Sequence, residues 1–386
     1  MKEVVSNMSL MRLESLRVIR NKKNIAVFGI AIVIVLLLFF LNFETSKKMN
    51  PINDYQRNKV TLENSLSSLE SNPDKSVAKE RVLRNLKEQL NLQTSQIEAN
   101  KTGDWKKELK LQISLDKNLL EKLRAGTAVT DNKDIIPITE KEIQLNTKLV
   151  NQNIHPVIES YETEGINFTY RILFYFFPFL MPLFVAVLIG DISTTNKMSG
   201  ITNLVNIFPV KQTRILDTRI LISFFYSCIL IFVPLLVALF IGTIANNPGS
   251  WNYPIAVNSN GTELTWITIS NFFGRALLLI ICLLIFISIF TQFLNTFIKN
   301  NLLLMLVLIG CFYFVELMGS IKTKFYAIMH FIPFTFANVP KIINGESALN
   351  FNNPYLNVTD GVFTLLLSSI LFYFLTILII NNKKRI

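Results

Sequence analysis

N-I-A-V-F-G-I-A-I-V-I-V-L-L-L-F-F-L-N-F, residues Asn24–Phe43, decides the fold class. The run holds no charge, no proline and no polar break in its core. A helix needs ~20 mostly apolar residues to cross ~30 Å of hydrocarbon, and this stretch has that length. It is too long for the apolar region of a signal peptide, and no small-x-small cleavage site follows it. Five further stretches qualify: Ile172–Gly190, Ile220–Thr243, Phe272–Phe293, Leu302–Met318 and Val362–Ile380. The whole chain is 51% hydrophobic with 31 Phe, a membrane composition. The expected fold class is an all-α polytopic membrane protein with six transmembrane helices.

Lys and Arg set the orientation, because they are retained on the cytoplasmic side. Lys2, Arg12, Arg17, Arg20, Lys22 and Lys23 precede the first span. Lys197, Lys211, Arg214 and Arg219 follow the second, Lys299 the fourth, and Lys383, Lys384 and Arg385 the sixth. Six crossings put all of these on one side, with both termini cytoplasmic. The loop Ile244–Thr265 has no Lys or Arg, and Gly319–Asp360 has only Lys322, Lys324 and Lys341. The net charge of +11 is therefore a topology signal. Basic residues scattered over four membrane-flanking segments make no nucleic-acid surface. Cys228, Cys282 and Cys311 each fall within a span, which excludes a cysteine metal quartet and a disulfide in the outer loops.

Residues 1–23 read as a basic amphipathic helix on the cytoplasmic membrane surface, with Leu10, Leu13 and Leu16 among Arg12, Arg17 and Arg20; a frayed basic tail is the alternative. Residues 44–169 differ in kind: 19 Lys plus Arg balance 19 Asp plus Glu. Leu62, Leu66 and Leu69 mark one helix there. Leu83, Leu86, Leu90 and Ile97 mark a second, and Trp105, Leu109, Ile113, Leu120 and Leu123 a third. Pro73-Asp74, Gly103-Asp104 and Gly126 punctuate them. The expectation is a mostly helical extracellular domain with a thin core, in which Ile135–Ile158, with Pro137 and Pro156, is a strand pair or a loop. It serves as a binding domain or a plain spacer. His155 reads as a structural residue.

Asp191–Arg219 is a polar, basic stretch between two spans. Ser199 and Gly200 suit the start of a short helix, and Ile201, Leu204, Val205 and Phe208 fall on one face of it. Pro209 has no amide hydrogen and ends it. This helix is shaped either to be gripped by another protein or to rest on lipid headgroups. In the second span, Phe176, Phe177, Pro178 and Pro182 predict a bent aromatic segment, suited to a cavity wall or to packing. Arg275 and Glu316 lie toward the outer ends of the fourth and fifth spans and are candidates for a buried pair, since an acid near hydrocarbon is costly. Residues 319–360 are apolar for a loop; Phe325–Val339, with Pro333 near its middle, is short for a span and reads as re-entrant or interfacial.

No G-x-x-x-x-G-K-[ST] phosphate loop, H-E-x-x-H or G-x-S-x-G occurs, and the chain has two His. Neither ATP binding by a phosphate loop nor His-based catalysis fits. The acids of the spans, Asp191, Asp217 and Glu316, sit at membrane edges, unlike the midplane groups of proton- or ion-coupled transporters.

The layout resembles the membrane-spanning subunit of ABC-2 type exporters. The family pattern after the second span is an acid, then E-x-x-G-T, an apolar helix and P-V-S-R. Here it runs Asp191, Lys197-Met-Ser-Gly200-Ile-Thr202, then Phe208-Pro209-Val210-Lys211. Phe331-Ile-Pro-Phe-Thr-Phe336 through Ile343-Asn-Gly-Glu346 is similar to the family's segment before the last span. Lys197 stands where the family has an acid, and Lys211 or Arg214 where it has arginine. The resemblance implies a permease without enzymatic activity, in a bacterial cell membrane, pairing as a homodimer or with a related permease. ATP and Mg would be bound by separate ABC ATPase subunits. Ser199, Gly200, Ile201, Leu204, Val205, Phe208 and Pro209 would form the coupling helix, with Asp191, Lys197, Lys211 and Arg214 in contact with the ATPase. Phe176, Phe177, Pro178 and Pro182 would line the path of an amphipathic peptide, lipid-like or drug cargo. A non-transporting scaffold, or a sensor using the extracellular domain, is the other reading.

Overall fold

The computed structural model describes residues 11–12, 14–49, 51–71, 76–127, 134–198, 211–259, 263–298, 300–320 and 324–382. Six of its helical segments are long and apolar enough to cross a membrane. The chain divides into two compact units. Met1–Phe40, Thr163–Trp251 and Ile255–Ile386 form the first; Leu41–Glu162 with Asn252–Pro254 form the second.

The part of α1 (Lys22–Lys48) that belongs to the first unit, up to Phe40, packs through Ala31 and Val35, both fully buried, and through Phe39, whose ring meets Phe168 edge-on at 5.2 Å. Before it, residues 14–20 are helical. Glu14 and Val18 are buried there, whereas Leu16 and Ile19 are exposed, so Leu16 is not on the packed side. Leu10 and Leu13 lie outside the described residues.

The second apolar segment is not one regular helix. It consists of α6 (Gly165–Tyr175), a π-helical turn at Phe176–Leu180, and α7 (Met181–Met198). Pro178 and Pro182 have no N–H to offer the carbonyls four residues back, and the chain accommodates this by widening one turn. The bend expected from these prolines takes that form. Pro234, by contrast, sits inside α8 (Gln212–Ala245) without ending it. α6 and α8 meet at two glycines: a Cβ on Gly242 would stand 2.7 Å from Gly165 Cα.

α9 (Ile269–Asn295), α10 (Asn301–Ser320) and α13 (Val358–Asn382) complete the set. α9 and α13 pack along much of their length. Phe290 and Phe293 each lie 4.9 Å from Phe372, and Phe286 lies 5.3 Å from Phe334. Such aromatic pairs contribute ~0.5–1.5 kcal/mol each beyond their buried area. Gly361 makes room for this packing, since a Cβ there would approach the Phe336 ring to 2.6 Å.

Two connections carry structure of their own. Strands β1 (Pro254–Ser259) and β2 (Glu263–Thr268) form a two-stranded sheet between α8 and α9, so the fold is not purely helical. Between α10 and α13 come 3-10 helices at Lys324–Phe331 and Pro333–Ala337, then α11 (Val339–Ile343) and α12 (Glu346–Asn350). Phe336 and Val339 are fully buried, so this segment is folded into its unit. The hairpin docks on it: Asn258 N–H donates to the Asn344 carbonyl at 2.9 Å. Gly345, at φ +77, leaves no space for a side chain beside the Asn258 carbonyl.

The second unit holds α2 (Pro51–Glu70), α3 (Val77–Thr102), α4 (Trp105–Arg124) and α5 (Ile135–Gln152). The glycine–aspartate punctuation acts as read. Gly103 ends α3 in the left-handed conformation at φ 71, and the Asp104 side chain caps α4 by accepting from Lys107 N–H at 3.1 Å. Residues 135–152, left open between strands and a loop, are helical. Pro137 falls in the first turn, where its missing donor has no intrahelical partner to lose. The His155 ring packs against Trp105 with centroids 5.5 Å apart and planes tilted by 55°.

A chain of amides runs between α3 and α4. Gln93 Nε2 donates to Gln96, Gln96 Nε2 to Gln112 at 2.6 Å, and Gln112 Nε2 to Asp116 Oδ1 at 2.7 Å. Asp116 is buried, and its Oδ2 has no hydrogen-bond partner among the described residues. Burial pushes its carboxyl up to about 6, with Glu142 adding to the rise and the Gln112 hydrogen bond opposing it. An unfolded aspartate titrates at ~3.9, so the folded unit holds the proton more tightly. The cost of the buried charge is then fully present above pH ~6 and is lost as pH falls toward ~4. We expect Asp116→Asn to stabilise this unit by about 2 kcal/mol at pH 7.5 and to leave it unchanged near pH 4. Hydrogen exchange of α3 and α4 in the full-length protein at the two pH values checks this.

Candidate functional site

The segment singled out as a coupling helix, Ser199–Pro209, lies outside the described residues. Its two supports do not. The flanking helices reach further than hydropathy marks: α7 continues through Lys197 to Met198, and α8 begins at Gln212, so Arg214 is already helical. Lys211 is exposed just ahead of α8.

The end of α7 is pinned by polar contacts. Ser193 Oγ accepts from Gln292 Nε2 at 2.7 Å, and the Ser193 carbonyl accepts from Asn295 Nδ2 at 2.9 Å, both from α9. Asp191 accepts from Asn21 Nδ2, and at 3.4 Å from Asn301 Nδ2 at the start of α10. Gly190 lets α10 approach, for a Cβ there would lie 2.7 Å from Met305 Cγ. The resemblance implies contact of Asp191 with an ATPase; here its side chain is 7% exposed and its carboxylate accepts from two amides. Residue 193 is thus tied to α9, and residue 191 to α10 and to the segment before α1.

At the opposite end of this bundle is a cavity of about 290 Å³. Phe177, Pro178 and Pro182, three of the four expected wall residues, line it. Phe176 does not: it is buried and tilted against Phe184 at 6.0 Å. Both rings of the π-turn are core residues, Phe177 at 1% exposure and Phe176 at 3%, and Phe177 also borders the cavity. Tyr313 donates its hydroxyl to the Phe179 carbonyl at 2.9 Å, one of the acceptors of the irregular turn. Phe312 and Phe334, whose rings meet edge-on at 5.1 Å, form the facing side.

The polar part of the lining comes from Glu316, Asn338 and Lys341. Glu316 Oε1 accepts from Asn338 Nδ2 at 2.8 Å, and Lys341 Nζ stands 3.9 Å from Glu316 Oε2 and 3.5 Å from Glu346 Oε1. The expected pairing of Arg275 with Glu316 is therefore replaced. Glu316, at the end of α10, is reached first by the folded-in segment 338–341, while Arg275 lines a separate cavity with Asn258 and Asn357. No group of three or more His, Cys, Asp or Glu suited to a metal occurs among the described residues.

No protein-family model, curated protein or solved structure matches the chain. Its chemistry must be read from the arrangement itself. Neither the α7 root nor the Glu316–Asn338–Lys341 set carries a nucleophile beside a base; both are polar sets that hold and orient. Sequence reading missed Ser193, Gln292 as its partner, and Asn338. The signal was present for the first two: uncharged polar residues near the ends of apolar helices need partners.

Proposed function

We propose that the chain is the membrane-spanning permease of an ATP-driven ABC-2 type exporter in a bacterial cell membrane, with both termini and residues 199–210 cytoplasmic and residues 44–169 outside. The observation that carries this reading is the pinned root of α7. A push on residues 199–210 would pass into α7 and α8, and through Ser193 and Asp191 into α9 and α10. The chain needs an external source for that push, having no phosphate loop. Two permeases, alike or related, pair with two ATPase subunits that bind ATP and Mg. Closure of the ATPases shifts the population between two packings of the bundle, and the π-turn at Phe176–Leu180 is a ready site for the change, as such turns in apolar helices cluster at functional positions. Amphipathic peptides, lipid-like molecules or drugs fit the aromatic lining.

Copurification tests it. The tagged chain is purified from its own membrane, and a copurifying protein that carries a phosphate loop is the expected ATPase. Leu204→Asp and Phe208→Asp are expected to lose the ATPase while membrane insertion persists, because each places a charge on the gripped apolar face. Retention of the ATPase by both variants would return the chain to the scaffold or sensor reading.

A further inference from the structure

A second cavity, of about 400 Å³, lies between the β1–β2 hairpin, the chain from α11 to α12, the first two turns of α9 and the start of α13. That volume falls within the range of ligand pockets, ~300–1,000 Å³. Among the described residues that line it, Arg275 is the one that carries a charge. Its guanidinium makes no ion pair, hydrogen bond or ring contact among the described residues. The residue is exposed, so an incoming group can reach it. Asp360 follows the lining residue Thr359 in the chain but is not part of the wall, and its Oδ2 accepts from Asn357 Nδ2 at 2.7 Å. A second source of positive potential stands on the same wall. Val358 and Thr359 open α13, where the first N–H groups have no carbonyl one turn back to donate to. Elsewhere the wall is aliphatic, with Ile267, Ile342 and Leu356.

We propose that this cavity binds the phosphate group of an anionic amphiphile, with Arg275 as its counter-ion and the aliphatic wall against the first carbons of its chain. A guanidinium presents a planar fork of donors that matches phosphate oxygens. The free N–H groups at the start of α13 add donors of the kind that hold phosphate. A cationic ligand would be repelled by the unpaired guanidinium. A zwitterionic headgroup brings its own cation to the phosphate and gains less from Arg275. α9 and α13 are two of the six membrane-length helices and both begin here, which sets the cavity at the level where a bilayer presents its headgroups. The same phosphate chemistry is offered by a membrane lipid and by a free phosphate ester, and the test separates the two. The site needs neither an ATPase nor transport, so its failure is distinct from a failure of the exporter reading.

The test is calorimetric titration of the full-length protein in a neutral detergent with dihexanoylphosphatidylglycerol, dihexanoylphosphatidylcholine and glycerol 3-phosphate. The phosphatidylglycerol is expected to bind about tenfold or more tightly than the phosphatidylcholine. Weaker binding of glycerol 3-phosphate than of phosphatidylglycerol supports the site with a lipid as its source; equal binding supports it with a free ester. In either case Arg275→Gln should weaken the tighter ligand about tenfold, and Arg275→Lys, which keeps the charge without the fork, should fall between. Arg275 holds no partner in the fold, so Arg275→Gln should melt with the wild type and its lost binding is not lost folding. Lys341→Gln removes a charge that borders the other cavity and should leave the affinity unchanged, which separates a built site from net charge. Equal binding of the two lipids, no loss in Arg275→Gln, or the same loss in Arg275→Gln and Lys341→Gln would overturn the proposal.

Discussion

Gly242→Leu is expected to abolish the folded protein. The backbones of α6 and α8 touch at this point. Any Cβ on Gly242 would stand 2.7 Å from Gly165 Cα and 2.8 Å from Gly165 N, and one on Gly165 would stand 2.7 Å from the Leu239 carbonyl. These neighbours are main chain, so no rotamer change relieves the clash. The helices cannot slide either. Gly165 N–H donates to the Asn247 carbonyl and Ile166 N–H to the Pro248 carbonyl, both at 2.9 Å, which stitches the start of α6 to the residues just after α8. Overpacking in a core costs ~1–3 kcal/mol when side chains can shift; with backbone on both sides the cost exceeds that, and small residues at such crossings are what permit close packing of apolar helices. Size-exclusion chromatography and thermal melting in detergent read the outcome. Gly274→Ala and Gly310→Ala are the controls, since a Cβ at either position meets nothing within 4 Å. Melting of Gly242→Leu within the few degrees that ~1 kcal/mol produces would show that the crossing tolerates bulk and that the stitched contact does not fix α6 against α8.

Each of the six apolar stretches read from the sequence falls within an observed helical segment, because burial in hydrocarbon and in protein both demand long apolar runs. Hydropathy reports the environment of a residue and not its hydrogen-bond register. It therefore stopped at Gly190 and resumed at Ile220, while the helices continue to Met198 and begin at Gln212. The residues between, D-I-S-T-T-N-K-M and Q-T-R-I-L-D-T-R, hold no glycine or proline, and that was the better guide to helix ends. Reading Ile244–Thr265 as a loop misses the strands at Pro254–Ser259 and Glu263–Thr268, which are too short to stand out beside the apolar helices. The π-turn was legible only as a bend at Pro178 and Pro182. The Glu316–Asn338–Lys341 set was not legible at all, because Asn338 reaches Glu316 only after the chain between them has folded back. Arg275 seemed a natural partner in a linear reading since both residues lie toward the outer ends of their spans.

Asp191→Leu is expected to lower the stability of the whole bundle, and by more than Asp191→Asn. The carboxylate accepts from Asn21 and Asn301 in a buried position. Leucine leaves both amides without that acceptor; two buried orphaned donors would cost ~2–6 kcal/mol, and because Asn21 and Asn301 are only half-buried, water relieves part of it and a loss of about 2–4 kcal/mol follows. Asparagine keeps one acceptor oxygen and loses roughly half as much. The contrast separates two roles for the residue. If Asp191 held an ATPase, Asp191→Asn would weaken copurification and leave the melting temperature of the chain alone untouched. As the residue that ties α7 to α10, it should do the reverse in the absence of any partner. Lys211→Ala is the complementary variant, because Lys211 is exposed immediately before α8. It should leave melting unchanged and affect only association. Equal melting temperatures for wild type, Asp191→Asn and Asp191→Leu would mean that Asn21 and Asn301 find other acceptors, and that the root of α7 is free to move independently of α10.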